Sequence, residues 1–163
     1  MKILFTHSYF YKLDAKQWRF KQPYPPLGTI LAASVMREQG YDVTLFDTNL
    51  KDDPGEIVPV LKQHRPKYVV LYDDGFNYLT KMCLTNMREA AFVMSTAGKQ
   101  SGCTVIVSSS DAADQYDKYF DHGVDYVVKG EGEETLKELI DTIEAGKDPS
   151  AVPGIVYRKN SVS

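Results

Sequence analysis

The sequence predicts an α/β fold in which a doubly wound, five-stranded parallel sheet carries helices on both faces. Five short runs rich in β-branched and aromatic residues alternate with five segments of helical periodicity, which is typical of parallel sheets. Right-handed crossovers leave few topologies for five such units, and the flavodoxin-like (Rossmann-like) strand order 2-1-3-4-5 is the common one. At 163 residues, the chain has the size of one domain.

The predicted helices follow the strands in order. The first helix stops before Gly40, a residue type that favours the left-handed conformation found after helix ends. Its apolar residues recur at spacings of three and four, so one face is expected to lie in the core. The predicted strands are Lys2–Thr6, Asp42–Asp47, Lys67–Tyr72, Cys103–Ser108 and Asp125–Val128, and the predicted helices are Leu27–Gln39, Gly55–His64, Leu79–Gln100, Ala112–Phe120 and Glu133–Ala145.

Charge and composition narrow the possible partners. The net charge of -3 gives no basic surface for phosphates, so nucleic acid is not expected as a partner. No apolar run approaches the roughly 20 residues that span a bilayer, and no export signal follows Met1, so a cytoplasmic protein without a membrane partner is expected. Cys83 and Cys103 have no C-x-x-C partner, which excludes a cysteine-bound zinc or iron-sulfur site in this chain.

The C-terminal part predicts a domain boundary. Residues 1–148 are expected to form the α/β domain, and residues 149–163 the start of a linker or hairpin. Within that segment, Val152–Arg158 has the composition of one more strand. The hairpin lacks its return strand, so we expect the chain to be an excised N-terminal domain.

The loop after the fifth strand is the strongest sign of a ligand site. Gly130 and Gly132 allow a sharp turn and a close approach of the backbone to a ligand. In open parallel sheets, ligands bind beyond the carboxyl ends of the strands. Glu131 and Glu133 stand beside these glycines and would repel a phosphate group.

The connection from His7 to Pro26 is far longer than an ordinary loop between a strand and a helix. Its aromatic residues are interpreted in two ways, as a wall against a large planar ligand or as a surface for a neighbouring domain. At its end, Pro26, Leu27 and Gly28 open a helix whose first backbone N–H groups are free for a ligand oxygen or form a plain helix entry. The aromatic residues are Tyr9, Phe10, Tyr11, Trp18, Phe20 and Tyr24.

Polar residues follow the third and fourth strands. Asp73 and Asp74 are predicted to bind a cation, to accept hydrogen bonds or to cap the next helix, and Gly75 and Phe76 follow them. After the fourth strand, the hydroxyl groups of three serines offer donors and acceptors, whereas Asp111 is expected to be the helix cap. The three serines are Ser108, Ser109 and Ser110.

Taken in order, these motifs resemble the cobalamin-binding domain that precedes the catalytic core of class B radical SAM enzymes. The order is more specific than any single motif, because two-glycine turns occur in many nucleotide-binding folds. The resemblance covers nearly the whole chain. The motifs are Met1-Lys-Ile-Leu-Phe5, Tyr24-Pro-Pro-Leu-Gly28, Leu31-Ala-Ala33, Gly40-Tyr-Asp-Val43 with Asp47, and Val127-Val-Lys-Gly-Glu-Gly-Glu133.

The resemblance implies that this chain is a cobalamin-binding module whose partner is a C-terminal radical SAM domain of the same polypeptide. The intact protein would then be a radical SAM enzyme that uses S-adenosylmethionine and a [4Fe-4S] cluster, with methyl transfer through cobalt as one reaction open to it. The residues implied in cobalamin binding are His7, Ser8, Tyr9, Pro26, Leu27, Gly28, Asp74, Gly75, Phe76, Ser108, Ser109, Ser110, Gly130, Glu131 and Gly132.

Two features of the family pattern are altered or missing. Asp73-Asp-Gly75 stands where Ser-x-Leu is often found, and Ser109-Ser110 stands where Gly-Gly is often found. None of the three histidines lies in the Asp-x-His-x-x-Gly motif that supplies a lower cobalt ligand. Base-off cobalamin without a protein histidine on cobalt is therefore expected.

Three other functions fit part of the sequence. A degenerate, ligand-free scaffold that docks to a radical SAM domain is favoured by the altered loops. A phosphoacceptor receiver domain matches Asp73, Ser108 and Lys129, but the first strand lacks the acidic pair that would bind a metal ion. A flavin or dinucleotide site is disfavoured because G-x-G-x-x-G and G-x-x-x-x-G-K-[ST] are absent.

Overall fold

The computed structural model describes residues 1–73, 84–130 and 132–158. These residues form an α/β fold around one sheet of six strands in the order β2-β1-β3-β4-β5-β6. The first five strands are parallel in the predicted order, whereas the predicted total of five is wrong. The strands are β1 Lys2–Thr6, β2 Asp42–Phe46, β3 Tyr68–Tyr72, β4 Thr104–Ser108, β5 Tyr126–Val128 and β6 Ile155–Tyr157.

The sixth strand belongs to the sheet itself. It runs antiparallel to β5, with Val127 opposite Val156. The turn before it is held by the Lys129 N–H, which donates to the Gly154 carbonyl over 2.8 Å. The composition of 152–158 therefore predicted a strand correctly, but its place in the sheet was missed. The domain boundary at residue 148 stays a prediction.

Six α-helices connect the strands in the described residues. The predicted start of the long central helix at Leu79 lies outside those residues. The segment between β1 and the first long helix, expected to be irregular, contains a 3₁₀ turn at Tyr11–Leu13 and a single helical turn. The helices are α1 Ala15–Trp18, α2 Leu27–Glu38, α3 Ile57–His64, α4 Leu84–Gln100, α5 Ser110–Asp121 and α6 Glu133–Glu144.

None of the helices described is long and apolar enough to cross a membrane.

Alternate residues of the central strands enter two separate cores. Leu4 and Val69 pack on one face of the sheet, with side chains from α3, α4 and α5. Ile3 and Val70 pack on the opposite face, with side chains from α2 and α6. Because both faces are covered, β3 is buried at every position and its sequence, Tyr-Val-Val-Leu-Tyr, is almost continuously apolar.

Ser95 provides a test of the core beneath α4. Its side chain is fully buried, and its hydroxyl has no hydrogen-bond partner among the described residues. An unpaired buried hydroxyl lowers stability, so we expect Ser95→Ala to raise the free energy of unfolding by about 0.5–1 kcal/mol. Urea denaturation monitored by circular dichroism measures this change.

Thr96 is the matched control in the same helix, because its hydroxyl donates to the His122 carbonyl over 3.2 Å. We expect Thr96→Val to lower the free energy of unfolding by about 0.5–1 kcal/mol. Equal losses in the two variants would contradict the packing described here.

Candidate functional site

A cavity of about 320 Å³ opens at the carboxyl edge of the sheet. The ends of β3, β4 and β5 form its floor, and the first turns of α2, α5 and α6 surround it. Five residues predicted from separate loops meet here, as do five others that the predicted ligand set did not include. The predicted ones are Gly28, Ser108, Ser109, Ser110 and Gly130, and the others are Tyr72, Asp73, Ala113, Val128 and Glu133.

β3 and β4 end side by side in the sheet, and this brings the loops around the cavity together. β3 and β4 pair in parallel, with Tyr72 opposite Ser108. One residue later, the Asp73 N–H donates to the Ser108 carbonyl over 2.9 Å. Thr29 ties α2 to the same point, because its hydroxyl donates to the Tyr72 carbonyl over 2.6 Å. The two strand ends are therefore held together by backbone hydrogen bonds, and the start of α2 is held to them by the Thr29 side chain.

The serine loop caps α5 at a different residue from the one predicted. Ser109 has an extended backbone, and its hydroxyl accepts a 3.0 Å hydrogen bond from the Ala112 N–H. The prediction that Asp111 caps this helix is wrong. The Asp111 carboxylate instead accepts from Arg88 Nε over 2.7 Å and from the Tyr119 hydroxyl over 2.8 Å. These contacts fasten α4 to α5 beside the cavity.

The two glycines of the last loop have different roles. Gly130 has a φ of 78° and lines the cavity, where a side chain would strain the turn. Gly132 has a φ of -98°, which any residue adopts. A Cβ atom there would stand 3.1 Å from Ser108 Oγ and 3.2 Å from Tyr72 Cε2. Gly132 therefore permits close packing of α6 on the strand ends and is not among the described residues that line the cavity.

Asp73 is one of two carboxylates among the described residues that line the cavity. Its Oδ1 accepts from the Ser8 N–H over 2.7 Å and from the Ser8 hydroxyl over 2.9 Å. Burial raises the pKa of Asp73, and the nearby Asp111 carboxylate adds to this, although the hydrogen bonds from Ser8 oppose it. The sequence predicted an acidic pair at this strand end, but Asp74 lies outside the described residues.

Tyr72 and Glu133 form a second polar pair in the cavity wall. The Tyr72 hydroxyl accepts from the Gly132 N–H over 3.3 Å. Burial and then the hydrogen bond to the Glu133 carboxylate raise the pKa of Tyr72. Tyr72 was not among the residues predicted to contact a ligand. Its place as the last residue of a strand that ends at the site is a signal that could have identified it.

Besides Gly132, five predicted contact residues lie away from the cavity lining in the described part of the chain. His7 is buried, where its Nε2 lies 2.9 Å from Asp47 Oδ1, and it also meets Thr48. Ser8 is committed to Asp73, and the Tyr9 hydroxyl donates to Asp14 over 3.0 Å. Pro26 is the N-cap of α2, and Leu27 is 54% exposed. Their contact with a ligand stays a prediction.

The aromatic segment packs on its own domain, which neither sequence interpretation included. Tyr9 and Tyr11 are buried and form a small apolar cluster with Met87, against which Trp18 and Tyr24 are partly buried. Phe20 is the exception, with 64% of its surface exposed. The first part of the long loop, residues 7–11, is therefore buried, whereas residues 19–23 are exposed. Asp74, Gly75, Phe76 and Glu131, the other predicted contacts, lie outside the described residues.

Two carboxyl groups near the cavity are expected to affect stability in opposite directions. Burial alone would raise the pKa of Asp111, but the hydrogen bonds from Arg88 and Tyr119 outweigh it and lower that pKa. Ionised Asp111 therefore stabilises the fold above its unfolded pKa, and this contribution is lost as the pH falls through the folded pKa. We expect Asp111→Asn to lower the free energy of unfolding by about 1.5–3 kcal/mol at pH 7.

Asp73→Asn is the comparison variant. Because the folded pKa of Asp73 is raised, the ionised form destabilises the fold at neutral pH, so the substitution should raise stability there. The effect of Asp73→Asn should vanish below about pH 4, near the unfolded pKa of an aspartate, whereas the effect of Asp111→Asn should decline from there and vanish only below the lowered folded pKa of Asp111. Denaturant titrations at pH 7 and pH 3.5 measure this, and a stability loss in Asp73→Asn at pH 7 would contradict it.

Comparison with known proteins finds relatives named as a methyltransferase and a methylase. No family model matches the sequence. An uncharacterized methyltransferase, PH0819, of Pyrococcus horikoshii is 28% identical over 144 residues, which are 83% of this chain and 28% of the relative. The hopanoid C-3 methylase of Methylococcus capsulatus is 29% identical over 135 residues, which are 80% of this chain and 24% of that protein. The chain thus spans about a quarter of the length of these relatives.

Solved structures share the fold over nearly the whole chain. The radical S-adenosylmethionine methyltransferase TsrM from Kitasatospora setae, solved with cobalamin and a [4Fe-4S] cluster bound, has a TM-score of 0.71 at 17% identity over 98% of this chain and 27% of its own. The cobalamin-dependent S-adenosylmethionine radical enzyme OxsB, with aqua-cobalamin and S-adenosylmethionine bound, has a TM-score of 0.72 at 19% identity over 99% of this chain and 21% of its own. The resemblance expected from the motifs is confirmed: the chain resembles the cobalamin-binding domain of class B radical SAM enzymes.

Proposed function

We propose that this chain is the cobalamin-binding module of a B12-dependent radical SAM enzyme. The observation that carries the proposal is the cavity at the carboxyl edge. Gly28, the serines at 108–110 and Gly130 come from three distant parts of the sequence and meet around it. The same fold occurs in enzymes that were solved with cobalamin bound.

The residues present fit the tail of a corrinoid. The cavity volume of about 320 Å³ lies at the low end of the roughly 300–1,000 Å³ of small-molecule sites. It therefore takes part of so large a molecule, and we assign it to the base at the end of the nucleotide tail. Gly28 and Gly130 present backbone without a side chain, and the serine hydroxyls offer donors and acceptors. Bound cobalamin supplies a cobalt ion that can carry a methyl group.

The histidines favour a cobalt without a protein ligand on its lower face. All three lie in the described part of the chain, and none lines the cavity. His7 is held by Asp47 and Thr48. The ring of His122 stacks on Phe92 with centroids 3.8 Å apart, and His64 lies 3.5 Å from the Thr44 hydroxyl. We therefore propose that cobalamin binds in the base-off form, with no histidine of this chain coordinating cobalt.

The activity of the intact protein belongs to the proposal as well. We infer a radical SAM domain in the same cytoplasmic polypeptide, which would hold a [4Fe-4S] cluster and S-adenosylmethionine. The cobalamin-dependent enzymes that share the fold support this, as do the methylating relatives. Methyl transfer is the reaction class that these relatives favour.

A ligand-free docking scaffold is the second candidate. Exposed apolar side chains favour the scaffold, because the exposed fraction is 54% for Leu27, 47% for Leu31 and 64% for Phe20. Leu27 and Leu31 stand one helical turn apart on α2, so they share a face that could pack on another domain. Cobalamin binding by the isolated chain separates the two candidates, because a scaffold has no need of the ligand.

Ala113 tests whether the cavity is the binding site. It lines the cavity from α5, so Ala113→Phe should fill space that the tail requires. We expect the unaltered chain to retain hydroxocobalamin after desalting and the variant to bind at least about tenfold more weakly. Absorbance titration measures both affinities.

Asp114→Phe is the matched control, because Asp114 is exposed on the same helix and is not among the described residues that line the cavity. It should bind as the unaltered chain does. Equal weakening in both variants would place the ligand elsewhere, and no retention by the unaltered chain would favour the scaffold.

Spectroscopy tests the cobalt ligands directly. If no protein histidine or benzimidazole nitrogen coordinates cobalt, the electron paramagnetic resonance spectrum of the cob(II)alamin complex should lack nitrogen superhyperfine splitting. His7→Ala should leave that spectrum unchanged. A three-line nitrogen pattern in the unaltered complex would refute base-off binding without a histidine ligand.

A further inference from the structure

The charged groups of the cavity wall are both carboxylates. Asp73 and Glu133 line it, and no cationic side chain is among the described residues that do so. The nearest lysine in sequence, Lys129, places its Nζ 5.4 Å from the ring centroid of Tyr116. A wall of this kind is suited to a ligand that donates hydrogen bonds, and it disfavours a ligand that presents only acceptors.

Within residues 1–73, 84–130 and 132–158, the protein donors that hold both carboxylates leave acceptor positions unfilled. Asp73 accepts from the backbone and hydroxyl of Ser8. Glu133 accepts from the Tyr72 hydroxyl. Since an ionised carboxylate has about four lone-pair positions, each can take a further donor from a ligand. The positions of both groups are fixed before the ligand arrives, which favours selective binding.

Resting on the proposed function, we propose that this site selects a corrinoid whose lower base carries an N–H donor, such as adenine, over one with dimethylbenzimidazole. Dimethylbenzimidazole offers two methyl groups and one acceptor nitrogen. The exocyclic amine of adenine donates two hydrogen bonds, and Asp73 and Glu133 are acceptors for them. The serine hydroxyls can donate or accept, so they serve either base and do not discriminate.

The size of the preference follows from hydrogen-bond chemistry. A hydrogen bond to a charged acceptor contributes roughly twice as much as one between neutral groups. A ligand without the donor also displaces water from both carboxylates without filling their remaining acceptor positions, which strengthens the discrimination. We therefore expect the adenine corrinoid to bind at least about tenfold more tightly than cobalamin, which corresponds to about 1.4 kcal/mol.

Equilibrium titration of the chain with three corrinoids tests the proposal. The probes are cobalamin, the adenine-containing analogue and cobinamide, which lacks the nucleotide tail. The expected order of affinity is the adenine analogue first, with both others at least about tenfold weaker. Equal or tighter binding of cobalamin, or tightest binding of cobinamide, would overturn the selection while the cobalamin-module function stands. If none of the three binds, the proposed function fails and the selection fails with it.

Two neighbouring glutamates give the matched variants. Glu133 lines the cavity, whereas Glu134 is exposed in the same first turn of α6. Their substitutions to Gln change the net charge and the helix terminus equally. Glu133→Gln should reduce the preference for adenine to below about threefold, and Glu134→Gln should leave it unchanged. An equal effect of both would assign the preference to charge at the helix end and overturn the proposal. Denaturation midpoints check that both variants fold.

Discussion

The site depends on the parallel pairing of β3 and β4, which end side by side. Tyr72 lies opposite Ser108, and the hydrogen bond from the Asp73 N–H to the Ser108 carbonyl carries the pairing one residue past the strands. This register sets the floor of the cavity. It also positions Gly132, whose lack of a side chain lets α6 approach Ser108 and Tyr72. A shift of one residue would turn every side chain of β3 to the other face.

Two carboxyl groups at the cavity affect the stability of the fold in opposite directions. Asp73 has a raised pKa and is partly buried next to the Asp111 carboxylate, so the fold is less stable with it ionised. Hydrogen bonds from Arg88 and Tyr119 offset the cost of burying the Asp111 carboxylate. These bonds also hold α4 and α5 together. A destabilising carboxylate held rigidly by Ser8 is typical of a functional position. The scaffold function gives no reason for such a group.

The local sequence predicted the strands and the loops of the site. Contacts between residues far apart in sequence determined the place of β6 and the partners of several polar side chains. The apolar runs set β1, β3 and β4 because both of their faces are buried. The pairing of β6 with β5 depends on a turn and an edge that no local pattern encodes. Two other contacts also depend on residues far apart in sequence. Asp111, at a position typical of a helix cap, instead accepts a hydrogen bond from Arg88. His7 is held outside the cavity lining by its contacts with Asp47 and Thr48.

The proposed function requires that the cavity at the carboxyl edge receive the tail of a corrinoid. The decisive test is an experimental structure of this chain with bound corrinoid. We expect density for the nucleotide tail among Gly28, Ser109 and Gly130, with the base beside Asp73 and Glu133. A corrinoid bound elsewhere on the surface, with the cavity filled only by solvent, would contradict it.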